Sequence, residues 1–151
     1  MENSIEGLSG CVDALNRLTD DQRQPRIRAE AEAVQEIFRQ VWMQRIEWVA
    51  SFVLELEIRK NPDADRRKDA LKLLLFAGKS MRPNKKAIER AGTLEILGYG
   101  AFDALHLACA EQCQAEVLLT TDDRFIWQAK RGLGNPLLPV KNPLNWLEET
   151  S

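Results

Sequence analysis

Between Arg28 and Trp42 the apolar residues Val34, Ile37, Phe38, Val41 and Trp42 recur at i, i+3, i+4, i+7 and i+8, the spacing of one stripe on an amphipathic helix. Ile46 to Ala50 reads as a short strand. Ser51 then has the side chain to cap a helix running through Phe52, Val53 and Leu54 to Ile58, punctuated by Asn61 and Pro62. Pro62 suits a first helical position, and Ala70, Leu71, Leu74 and Leu75 give a further stripe that ends near Gly78. Asn84 starts another helix through Ile88, Ala91 and Leu94, weakened by Gly92, before a turn at Gly98 to Gly100. Phe102, Leu105, Cys109 and Cys113 line one face of the next helix, and Val117 to Thr121 is an apolar run suited to a buried strand. Phe125, Ile126 and Ala129 predict a helix, Leu137 to Lys141 a last strand, and Asn142 with Pro143 a closing turn of helix. Strands alternating with helices predict an α/β fold whose parallel sheet is covered on both faces.

The start of the chain departs from this pattern. Met1 to Gly10 contain Glu2, Glu6, Gly7 and Gly10, with only Ile5 and Leu8 as apolar chain positions after Met1, which makes a poor central strand. The expectation is a first strand that is weak or missing, with residues 1–12 atypical and poorly ordered. A sheet with such a centre buries little apolar area there, so marginal folding or dependence on a dimer is expected. No repeat or linker divides the 151 residues, a length that suits one domain over 1–151.

Composition narrows the classes. Hydrophobic residues at 44% and charged residues at 29% are ordinary for a globular chain. A net charge of −2 gives no global pull toward nucleic acid, so any such contact must use a local patch. Three cysteines, with Cys109 and Cys113 one helical turn apart, do not make a secreted disulfide framework. The longest apolar runs, such as Leu71 to Ala77, are far short of a membrane span, and the expectation is a soluble cytoplasmic protein.

In open parallel sheets the functional crevice lies beyond the carboxyl ends of the strands. Asp122 directly follows the run Val117 to Thr121, and Asp103 lies in the first turn of the helix that begins near Ala101. Either acid alone reads more simply as a helix-start residue. Several acids converging on one pocket repel each other, and the usual compensation is a hard divalent cation such as Mg²⁺ or Mn²⁺. His106, Cys109 and Cys113 at i, i+3 and i+7 resemble zinc spacing, but one helix does not surround a tetrahedral ion, and the structural reading wins. Arg59 with Lys60, Arg66 to Lys68, Lys85 with Lys86 and Lys130 with Arg131 read as solvated helix faces. Arg124, just past Asp122, is the basic residue best placed to touch a phosphate. Trp42, Trp48, Trp127 and Trp146 read as core or interface anchors.

Phe102 to Ala108, followed by Leu119 to Asp123, resembles the paired acidic motifs of PIN domains. The resemblance extends from about Asn16 to Leu147 and takes in Asn16 and Arg17, Pro25 to Val34, Ser51 to Pro62, and Asn142, Pro143 and Leu144. It is nearest to the VapC-like branch, toxin-type ribonucleases paired with antitoxins. It implies a three-layer fold with helices on both sides of a central parallel sheet, and an acidic pocket that binds Mg²⁺ or Mn²⁺ and activates water to hydrolyse an RNA phosphodiester. It also implies RNA as substrate, an antitoxin protein as partner and a homodimer. Carried over by position, the second family acid falls on Glu57, the third on Asp103 and the fourth on Asp122. Glu55 is the rival for the second place; residues two apart on a helix point about 200° apart, so one of the two faces the pocket. Counting back from Asn16, the first family acid falls on Cys11, and Asp13 takes the role only with a shift of two residues. Asn16 would orient water or a ligand, Thr120 or Thr121 would hydrogen-bond Asp122, and Arg124 would meet RNA. Two functional readings follow: a metal-dependent ribonuclease, or a catalytically impaired PIN fold that serves as an RNA-binding or protein-assembly module. Acids that merely cap helices in a structural domain remain a third.

Overall fold

A computed structural model describes residues 6–10, 23–76 and 79–150, with backbone alone at 6–10, 76, 79 and 80. A five-stranded parallel sheet is built from β1 (Glu6–Gly10), β2 (Ile46–Ser51), β3 (Lys79–Met81), β4 (Val117–Leu119) and β5 (Val140–Lys141), in the order β3-β2-β1-β4-β5. The described helices are α1 (Pro25–Trp42), α2 (Phe52–Arg59), α3 (Ala64–Leu73), α4 (Lys85–Leu97), α5 (Ala101–Gln112), α6 (Asp123–Lys130) and α7 (Pro143–Thr150), with a 3-10 turn over Leu74–Phe76.

The expected weak first strand is present, and it is the centre of the sheet: Leu8 pairs with Trp48 on one side and Val117 on the other. Its register is supplied by two better strands. β4 shows how the sheet is filled, because Val117 and Leu119 face one core and Leu118 faces the other, the period of two that a strand imposes. One core gathers Ile37, Trp48, Leu54, Ile58 and Trp146, with Phe38 edge-on to Trp48 at a ring separation of 5.1 Å. The other gathers Leu94, Tyr99, Leu107, Leu118 and Phe125.

Local chemistry explains most helix starts. Ser51 Oγ accepts the Leu54 N–H and Asn84 Oδ1 the Ala87 N–H, as expected of those caps. Pro62 is not the first helical residue; the Asp63 carboxylate accepts the Asp65 and Arg66 N–H groups and sets the start at Ala64. That helix stops at Leu73 rather than running on to Gly78, and β3 follows where no strand was expected. On α5 the buried apolar positions are Ala104, Leu107, Ala108, Cys109 and Ala110; of the expected face Cys109 is buried, while Phe102, Leu105 and, just past the helix end, Cys113 are half-buried, so the packing face is turned from the one the larger residues suggested. Small residues win there because α4 and α5 lie against each other. Of the four tryptophans, Trp48 and Trp146 are core, whereas Trp42 and Trp127 are exposed. Gly134 is needed where it stands: φ is +73° and a Cβ would meet Leu94 Cδ2 at 2.7 Å.

Candidate functional site

Asp122 ends the chain segment that leaves β4 and opens α6. Its carboxylate accepts the N–H groups of Arg124 at 2.9 Å and Phe125 at 3.3 Å, and its own N–H donates to Thr120 Oγ1 at 3.1 Å. Thr120 therefore holds the backbone of Asp122 rather than its carboxylate. Thr121 Oγ1 is buried with no hydrogen-bond partner. Asp123, the neighbour, is tied back to α1 by a two-pronged bond from Arg26 at 2.6 and 2.8 Å. Arg26 also reaches Glu30 at 3.3 Å, and Glu30, 1% exposed, accepts from the Asn142 amide at 2.5 Å. The turn that carries Asp122 is thus fastened to the starts of both α1 and α7. The Asp123 carboxylate is the chief cause that raises the Arg26 guanidinium above its already high range.

Asp103 sits in the first turn of α5, its carboxylate folded toward the helix start beside Gly100. Lys60 lies over the ring of the adjacent Phe102, 4.8 Å from its centroid. Glu57 is turned onto α5, where Oε1 is 2.7 Å from His106 Nε2. A carboxylate only accepts, so the ring donates from Nε2. His106 is 1% exposed and its Nδ1 is buried without a partner. Glu55 points elsewhere and is held by Arg59 at 2.9 Å. Arg124 is exposed on α6.

Asp13 and Asn16 lie outside the described residues. Among the described residues no three acidic, histidine or cysteine side chains stand close enough to share one metal ion. The donor chemistry of Glu57, Asp103 and Asp122, carboxylate oxygens alone, fits a hard divalent cation rather than zinc. Cys109 on α5 and Cys113 at its C-terminal end complete no zinc site with His106 among the described residues. No helix of the described residues is long and apolar enough to cross a membrane.

Sequence reasoning singled out Glu57, Asp103 and Asp122 but not the groups that position them. Arg26 holds Asp123, the neighbour of Asp122, from 97 residues away, and His106 holds Glu57 from 49 residues away; no local pattern carries such pairings. For His106 the only hint was its place three residues after Asp103 on an otherwise apolar helix.

Comparison with known proteins bears on the same segment. A chain of the VapBC2 complex from Rickettsia felis, solved bound to a DNA fragment from their promoter, has the same fold at a TM-score of 0.58. The likeness covers 90% of this chain and 98% of that one at 14% identity. Curated proteins give no match. The family model for the PIN domain matches residues 12–130, which contain Glu57, Asp103 and Asp122. With that match over most of its length, the chain belongs to the PIN domain family.

Proposed function

We propose that this protein is a metal-dependent ribonuclease and the toxin half of a toxin and antitoxin pair. The observation that carries the reading is the placement of Asp122 just past β4 with Asp103 and Glu57 on the adjoining helices α5 and α2, within a PIN-family chain. Glu57, Asp103 and Asp122, with Asp13, would hold Mg²⁺ or Mn²⁺. Such an ion, when bound, lowers the pKa of a water and stabilises charge on the phosphate. The chain's own residues contribute the rest. The two N–H bonds to the Asp122 carboxylate fix its direction, and the Nε2–H of His106 fixes one oxygen of Glu57. Thr120 sets the backbone of Asp122, Asn16 orients a water or ligand, and Arg124 meets an RNA phosphate. The likeness to a VapBC2 chain supports an antitoxin as partner, and a homodimer is the assembly we expect.

A second reading, a PIN fold that binds RNA or assembles with protein without cutting, is favoured by one observation: the described acids do not by themselves converge on one ion. Incubation of a mixed RNA pool with Mn²⁺ separates the two. Cleavage that stops with EDTA and falls by about 10²-fold or more in Asp122→Asn is the expected result. Folded protein that retains RNA but leaves it intact would establish the second reading instead.

A further inference from the structure

β5 is an edge of the sheet, and its pairing decides which of its backbone groups are left over. The Leu118 N–H donates to Pro139 O and the Thr120 N–H to Lys141 O, both at 3.0 Å. Residues 139 and 141 therefore turn their main-chain groups toward β4. Successive residues of a strand turn theirs to opposite sides, so the N–H and C=O of Val140 face away from β4, where no described strand lies. The proline at 139 removes a donor from the inner side and leaves the outer edge intact. Val140 is only 6% exposed, so these two groups are sheltered rather than washed by bulk solvent.

They lie in a groove of about 710 Å³ that runs between α6 and α7. Ile126 and Ala129 come from α6, Asn145 and Glu149 from α7, and Leu137 from the segment before β5. Leu137 is 80% exposed. A groove with an unused donor and acceptor at its floor and apolar walls is suited to a strand, which satisfies the backbone groups and seats alternate side chains. Its charge selects the strand. Lys130 and Lys141 line the groove; the first has no ion pair among the described residues, and the second is bonded to Glu149. The lining carries two cations and one anion, and the unpaired charge is positive. Pairing β5 with a second copy would bring Lys130 and Lys141 of each chain toward the same seam, which disfavours that occupant.

The geometry points to the β5 edge as a docking groove for an extended segment of a partner polypeptide in which apolar and acidic residues alternate. This surface is separate from Glu57, Asp103 and Asp122, none of which lines it, and it stands whether or not the chain cuts RNA.

The test uses the full chain and a labelled octapeptide that alternates valine and glutamate, followed by fluorescence anisotropy and by amide exchange at Val140. Saturable binding with slowed exchange at Val140 is expected, weakened about tenfold or more in Lys130→Glu, which replaces one attraction by a like-charge contact. Both Lys130 and Leu137 are exposed, so Lys130→Glu and a second variant, Leu137→Asp, keep the fold, and the second weakens binding too. Equal binding of a peptide N-methylated at alternate amides would overturn strand addition, and equal binding of a valine and lysine peptide would overturn the charge argument. No binding of any peptide, or protection of Val140 through dimer formation without peptide, would also overturn the proposal.

Discussion

The contact between Glu57 and His106 joins a half-buried carboxylate to a buried imidazole across two helices. A half-buried carboxylate that keeps one oxygen on a buried imidazole has its rotamer fixed, and only the other oxygen is left for a ligand. If the site holds Mn²⁺ as proposed, His106 acts through Glu57 rather than on the substrate. His106→Leu should weaken Mn²⁺ binding by roughly 10–100-fold, the usual cost of losing such a supporting partner. His106→Gln, whose amide also donates, should recover part of it. Calorimetric titration with Mn²⁺ checks this, and unchanged affinity in a folded Leu variant would reduce His106 to packing. The acids themselves were legible because each stands in a local pattern, such as an apolar run, then Asp122, then Phe125 and Ile126. The family position favours Glu57 over Glu55, since helix periodicity alone says that one faces inward without saying which; the structure turns Glu57 onto His106 and leaves Glu55 with Arg59.

At the scale of elements, three segments remote in sequence are joined by one polar chain, from Asp123 at the start of α6 through Arg26 and Glu30 on α1 to Asn142 before α7. Asn142 serves twice there: its amide donates to Glu30, and its Oδ1 accepts the Leu144 N–H at 2.8 Å. Asn142→Asp keeps the cap but sets a second carboxylate against a buried one. It should cost about 2–4 kcal/mol at pH 7, from a lost charged hydrogen bond and like-charge repulsion. Urea titrations of the variant and the parent chain at pH 7 measure it. Asn142→Ala loses the bond and the cap alike. Caps were readable in the chain at Ser51 and Asn84, where one side chain and one turn suffice. β3 was not, since Lys79–Met81 offers three residues without alternation and becomes a strand only by pairing with β2.

For the whole molecule, the centre of the sheet is its least conventional part. β1 has the sequence EGLSG, with glycine at Gly7 and Gly10, yet it bridges β2 and β4. Glycine in a strand interior forfeits roughly 0.5–1 kcal/mol in entropy and gives nothing to pack, so propensity counted against this strand while topology required it. The prediction is a stability toward the low end of the roughly 5–15 kcal/mol of ordinary domains. Alkali is where a loss of it can be read. Cys109 is 1% exposed on α5, and burial chiefly, with Cys113 adding to it, pushes its thiol up from the ordinary 9.0 to about 11. The folded state therefore keeps this proton when the unfolded chain has already released it. Stability is unaffected below about pH 8, falls as pH rises through 9, and levels off above 11. By pH 10.5 the shift from 9.0 to about 11 is worth about 2 kcal/mol, and Tyr99, raised mainly by burial, acts in the same direction at higher pH. Urea midpoints at pH 7.5 and 10.5 should differ accordingly, and Cys109→Ala should remove most of the difference. A midpoint that holds steady in the parent chain would mean that the thiol reaches water in the folded state, and that α5 is less tightly seated on the sheet than its packing implies.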